Sequence, residues 1–165
     1  MSQPAAPTVD TLLLGIGNRL LSDEGVGSRV IDYLEANPLA DPAVQLLDGG
    51  TLSFTLAGEI AAHPYLIVVD AARTGNPPGT LCCYPGDELE RHLASAAGSV
   101  HEVGLQDLLD ISRLSDSFPK RRALIGIEPL SLDWGEELSP PVAAALPQVR
   151  AMVVELLRQW RSATV

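Results

Sequence analysis

The chain is poor in cysteine, in positive charge and in long apolar runs, and each shortage removes a class of function. Its 165 residues carry two cysteines, Cys82 and Cys83. Adjacent residues of a strand point to opposite faces, so the pair is poorly placed to bridge, and with no third cysteine a disulfide framework is excluded. So is any Cys-x-x-Cys metal or redox motif. Eleven Lys and Arg face 21 Asp and Glu, a net charge of −10. That balance argues against nucleic acid and anionic membrane as partners, since both need a basic surface. The one basic cluster, Lys120-Arg121-Arg122, is expected to be the solvated start of a strand. No apolar run approaches bilayer length, so membrane insertion is not expected. The opening residues lack the basic and apolar regions of a signal peptide, which makes the cytoplasm the expected location. Three catalytic motifs are missing as well. There is no His-Glu-x-x-His, no Gly-x-Ser-x-Gly and no Gly-x-x-x-x-Gly-Lys-Ser/Thr.

What is present is a compact α/β pattern. Hydrophobic residues make up 46% and charged residues 19% of the chain, the balance of one globular domain with a sizeable core. Residues 1–10 read as a flexible lead-in and 11–165 as the domain, with no repeat or linker. Leu12-Leu13-Leu14 reads as a buried strand stopped by Gly15. Val26, Val30, Tyr33 and Leu34 then recur at helical spacing, predicting a helix from near Glu24 to before Pro38. Further strands are expected at 44–48, 65–70, 80–84 and 122–128. Helical patterns cover 52–62, 87–93 and a segment beginning near Leu105. A last helix follows Ser139-Pro140-Pro141, with Val142, Leu146, Val149, Val153, Leu156 and Trp160 on its apolar face. Pro147 is expected to bend it or shift its start. Alternating strands and helices predict a three-layer α/β sandwich, a mainly parallel twisted sheet with helices on both faces.

The strand–turn–helix unit at 12–30 invites a dinucleotide reading, which the residues oppose. Leu20 occupies the third glycine position of a Gly-x-Gly-x-x-Gly fingerprint, and Asp23 and Glu24 would repel a phosphate at the helix start. Carboxylates there also serve as plain helix caps. Topology favours more than capping for Glu24. Ligands of such folds bind beyond the carboxyl ends of strands, where Gly17, Asp48 and Asp70 are expected, with Glu24 close behind. His63 and His92 are expected at the surface. His101 is either an ordinary histidine at a helix start or a residue carried onto the same rim. In the second case Glu24, Asp70 and His101 form a two-carboxylate, one-imidazole set, which suits a divalent first-row metal with open positions.

Several blocks carry a resemblance that these arguments do not supply. They are Gly15-Ile16-Gly17-Asn18, Asp23-Glu24-Gly25-Val26-Gly27, Leu47-Asp48-Gly49-Gly50-Thr51, Val68-Val69-Asp70-Ala71, Ser99-Val100-His101-Glu102-Val103-Gly104-Leu105, Phe118-Pro119-Lys120, Gly126-Ile127-Glu128-Pro129 and Leu138-Ser139-Pro140. In this order the chain resembles the NiFe-hydrogenase maturation endopeptidases over nearly everything from Thr11 to the final helix. The resemblance implies a doubly covered, mainly parallel sheet. It also implies removal of a short C-terminal extension from the immature hydrogenase large subunit after nickel insertion. By position Glu24, Asp70 and His101 match the family's metal-binding residues, Glu24 standing where some relatives have Asp. Asp48 matches an acidic Asp-Gly-Gly turn, with substrate positioning or support of cleavage as its expected role. Nickel is expected to arrive with the substrate, leaving the resting enzyme metal-free, and water is the simplest nucleophile. Two rivals are a noncatalytic nickel-binding accessory protein and a nucleotide-binding module. Residues 51–59 and 85–103 are the expected partner-selecting segments.

Overall fold

The computed structural model describes residues 2–95 and 100–163, with residues 100–103 given by their backbone alone. Five strands form one sheet: β1 (Thr11–Ile16), β2 (Val44–Gly50), β3 (Tyr65–Ala71), β4 (Leu81–Pro85) and β5 (Arg121–Ile127). Their order is β2-β1-β3-β5-β4. β1, β2, β3 and β5 run parallel, and β4 closes one edge antiparallel to β5. The expected α/β sandwich is therefore present, its sheet mainly parallel with one antiparallel edge strand.

The central strands are buried on both faces, and alternation assigns each side chain to a layer. Leu13, Ile67, Val69, Ile125 and Ile127 face α1 (Val26–Ala36) and α5 (Pro140–Ser162). Leu12, Leu14, Leu66, Val68 and Leu124 face α2 (Leu56–Ala61), α3 (Asp87–Ser95) and α4 (Val100–Leu114). Each fully buried Leu or Ile contributes roughly 1.5–3 kcal/mol, so the two layers hold the sheet by area alone.

Several local expectations change. The 52–62 helix shortens to Leu56–Ala61 because a turn takes its first residues, with Leu52 at φ 62° and its N–H donating to Gly49. α4 begins at Val100 rather than near Leu105. α5 runs through Pro147 as one helix. Of the Lys120-Arg121-Arg122 cluster only Lys120 is exposed as expected of a solvated strand start. Arg122 is mostly buried, pairs with Glu90 and Asp87, and lies 4.6 Å from the Phe118 ring centre. Arg121 donates to the Trp160 carbonyl at 2.8 Å. His63 is buried rather than superficial, held between the Glu59 carbonyl at 2.6 Å and Gln45 Oε1 at 3.1 Å. His92 stacks on Tyr84, ring centres 4.1 Å apart. Both cysteines are free thiols on β4. Burial, then the nearby Glu88 charge, pushes the Cys83 thiol up, so it stays protonated.

Candidate active site

The site grows from the junction between β1 and α1. After Ile16 the chain turns at Asn18, whose Oδ1 accepts the Leu20 N–H at 2.9 Å. It then forms a single 3-10 turn, Ser22–Gly25, before α1. The glycines here serve close packing of backbone, not phosphate binding. A Cβ on Gly27 would lie 2.2 Å from the Ile16 carbonyl oxygen and 2.4 Å from that of Val69. One on Gly17 would lie 1.9 Å from the Glu24 carbonyl oxygen. Only glycine lets the start of α1 press against the ends of two strands. That pressing sets the turn carrying Glu24 against β3, which carries Asp70 near its end.

Asp23 and Glu24 occupy successive positions of the turn and have different surroundings. Asp23 is 0% exposed. It accepts from the Leu130 N–H at 2.9 Å, the Ser131 N–H at 3.0 Å, and the Ser139 N–H and hydroxyl at 2.8 and 2.7 Å. Burial alone would raise its pKa, but these donors outweigh it and hold the carboxyl below its usual range. The cap expected from sequence is thus a clamp on the 129–139 loop. Glu24 is half-buried on the same turn. Asp70 is 4% exposed, and its Oδ1 accepts the Ala71 N–H at 2.8 Å.

Asp48 lies in the last residues of β2, in register with Gly15 of β1. Its Oδ2 accepts from Arg19 at 2.8 Å, and its Oδ1 from the Ser28 hydroxyl at 2.7 Å and the Gly50 N–H at 3.0 Å. Arg19 also grips Asp32, at 2.5 and 2.9 Å. Partial burial raises the Asp48 pKa, but Arg19, Ser28 and Gly50 win and keep it low. Asp48 is therefore an ionised anchor of the Gly49-Gly50 turn, and a weak base.

His101 is the second residue of α4, and its side chain lies outside the described residues. The backbone nearby is informative. A Cβ on Gly104 would lie 3.2 Å from Leu52 Cδ1, so the start of α4 packs beside the turn that follows β2. Of the three residues expected to bind metal, the structure describes the side chains of Glu24 and Asp70, carboxylates of the hard-ligand type. Among the described residues, which omit the His101 side chain, no three His, Cys, Asp or Glu side chains cluster as a metal site.

The chain as a whole is similar to proteins of one family. A family model described as hydrogenase maturation protease matches residues 28–156. The chain belongs to the hydrogenase maturation protease family. This maturation protease is 36% identical to the hydrogenase 2 maturation protease of Escherichia coli (strain K12), covering 90% of each chain. It is 38% identical to the hydrogenase expression/formation protein HupD of Rhizobium leguminosarum bv. viciae, over 97% of this chain and 79% of that one. Its fold matches the hydrogenase maturating endopeptidase HybD from E. coli with a TM-score of 0.84, at 34% identity over 91% of this chain and 93% of that one.

Sequence reasoning missed the partners of this maturation protease's rim. Arg19, itself held by Asp32, and Ser28 fix Asp48. Buried Glu128 accepts from the Thr74 N–H at 2.7 Å and the Thr74 hydroxyl at 2.8 Å, pinning the loop after β3. Arg19 and Ser28 lie nine residues apart, one in a turn and one on a helix, and nothing in their order signals a common carboxylate.

Proposed function

We propose that this hydrolase removes the C-terminal extension of a NiFe-hydrogenase large-subunit precursor that already carries nickel, using the substrate's metal as the recognition element. The observation that carries the reading is the junction at Gly17 and Gly27, which holds the Glu24 turn against the end of β3 at Asp70. Glu24, Asp70 and His101 bind the nickel of the incoming precursor beside the peptide to be cut. Two carboxylates and one imidazole leave positions for the precursor's own ligands and for water. The ion would orient the neighbouring carbonyl; water adds to that carbon, the C–N bond breaks, and a proton of the water passes to the departing amine. Asp48, ionised by Arg19, holds the Gly49-Gly50 turn in shape rather than taking a proton. Cleavage of this kind reports nickel loading, because an empty precursor lacks the ion that Glu24, Asp70 and His101 bind.

The test is a mass spectrum of nickel-loaded and nickel-free precursor after incubation with the protein. Mass loss confined to the C-terminus and to the loaded sample is expected. Cleavage of both samples would discard nickel recognition and keep the protease. Association without mass loss would make the chain a noncatalytic accessory protein. Glu24→Gln, Asp70→Asn and His101→Ala are each expected to slow processing by at least about a hundredfold. Normal processing by all three would show that the site lies elsewhere.

A further inference from the structure

The chain has few aromatic residues, two Trp, three Tyr and two Phe, and it places one Trp in solvent. Trp160 is buried against Tyr65. Trp134 is 81% exposed, on the 129–139 loop that Asp23 clamps. Two other exposed leucines lie on the same laced segments, Leu130 at 58% and Leu20 at 49%. The lacing joins backbone to backbone and side chain to backbone. The Gly135 N–H donates to the Leu20 carbonyl at 2.9 Å, and the Ser22 N–H to the Gly135 carbonyl at 2.8 Å. The Ser22 hydroxyl reaches the Asp133 carbonyl at 2.8 Å, and Arg29 donates to the Glu136 carbonyl. The three apolar side chains are thus presented by a fixed surface, so covering them orders little additional backbone.

We propose that Leu20, Leu130 and Trp134 form the docking seat for the segment of the precursor beside the scissile bond, an apolar stretch flanked by basic residues. The inference rests on the proteolytic reading above and names what that site grips besides metal. Three features select this occupant. The seat is continuous with the candidate site, since Asp23, which binds the Leu130 N–H, precedes Glu24 on one turn. Asp133, Glu136 and Glu137 border Trp134 in sequence, and among the described residues none of the three has an ion pair. An acidic lip around an apolar centre complements a basic, apolar segment. A second copy of this chain would bring the same three carboxylates and a net charge of −10 against its own kind, which repels.

The test compares wild type with the Leu130→Ser/Trp134→Ala double variant on nickel-loaded precursor. Both side chains are largely in solvent, so the variant should keep its circular dichroism spectrum and melting temperature. The expected result is a fall in kcat/KM of about tenfold or more, carried by KM, as for an exposed aromatic that becomes a buried anchor. In the Asp70→Asn background, where cleavage is blocked, calorimetric titration should show the same loss of precursor affinity. Charge reversal by Glu136→Lys/Glu137→Lys should raise KM in low salt, and the effect should shrink in high salt. If wild type cleaves and the double variant cleaves with unchanged kcat/KM, the seat is wrong and the protease stands. If wild type does not cleave, the proteolytic reading fails, and the affinity comparison still decides the seat: a Kd unchanged by the double variant overturns it. A wild-type dimer that the double variant dissolves would assign the patch to self-association and overturn the proposal.

Discussion

Asp23 and Asp48 flank the same rim and are held in contrasting ways. Asp23 is sealed from solvent and surrounded by neutral donors, three backbone N–H groups and a hydroxyl. Asp48 is partly exposed and leans on a guanidinium that Asp32 shares. A buried carboxylate satisfied by fixed dipoles needs no counter-ion but tolerates no vacancy, because each lost partner leaves another group stranded. A partly exposed ion pair is cheaper to lose and is weakened by salt. The clamp on the 129–139 loop is therefore the structural member of the pair, and the Asp48 corner the adjustable one.

That contrast can be broken by measurement. The largest effect is expected for Asp23→Ala, which strands four donors and should cost about 3–5 kcal/mol in urea unfolding. Asp48→Ala should cost clearly less, and equal losses would end the distinction. Acid should act next. Both carboxyls have folded pKa values below the ordinary 3.8. Folding then favours their ionised forms, so this stability is complete above pH 3.8 and is lost as pH falls through the lower folded values. Asp23→Asn should flatten the acid limb of an unfolding midpoint plotted against pH, and an unchanged limb would assign acid sensitivity elsewhere. Arg19→Ala should cost about 1 kcal/mol by the same urea assay, since it frees two carboxylates that water can reach. The smallest expected effect is that of 1 M salt. It should trim the Arg19→Ala penalty by a few tenths of a kcal/mol and leave the Asp23→Ala penalty alone.

Much of the architecture was legible because burial on both faces leaves a plain mark. The apolar runs at Leu12 and at Tyr65–Val69 could hardly be anything but central strands, and topology then brought Glu24, Asp48 and Asp70 to one end of the sheet. The partners of those residues were not legible. Asp23 was chemically transparent as an acceptor of N–H groups, yet its donors lie 107 to 116 residues away rather than in the next turn. The glycines suggested a phosphate loop because close backbone packing and phosphate binding need the same missing Cβ. The place of His63 in a turn before proline and of Arg122 at a strand entry pointed to solvent, and partners on other elements, Gln45 for His63 and Glu90 and Asp87 for Arg122, reverse that. His101 was expected ahead of a helix beginning near Leu105, but α4 begins at Val100 and takes it in, and its side chain lies outside the described residues.

The bond between Asp23 and Ser139 spans 116 positions of the chain, which has a consequence during synthesis. The turn that bears Glu24 and the strand that bears Asp70 leave the ribosome early, but the loop that seals the turn is complete only when the last helix begins. Leu130 and Ser131 bring two of Asp23's donors first and Ser139 the other two last, and closing so long a loop carries an entropic penalty that later packing must offset. A ribosome-bound or truncated product ending before Ser139 would hold the acidic residues without their complete frame. Proteolytic competence would thus be withheld from nascent chains and arrive as a late event of biosynthesis.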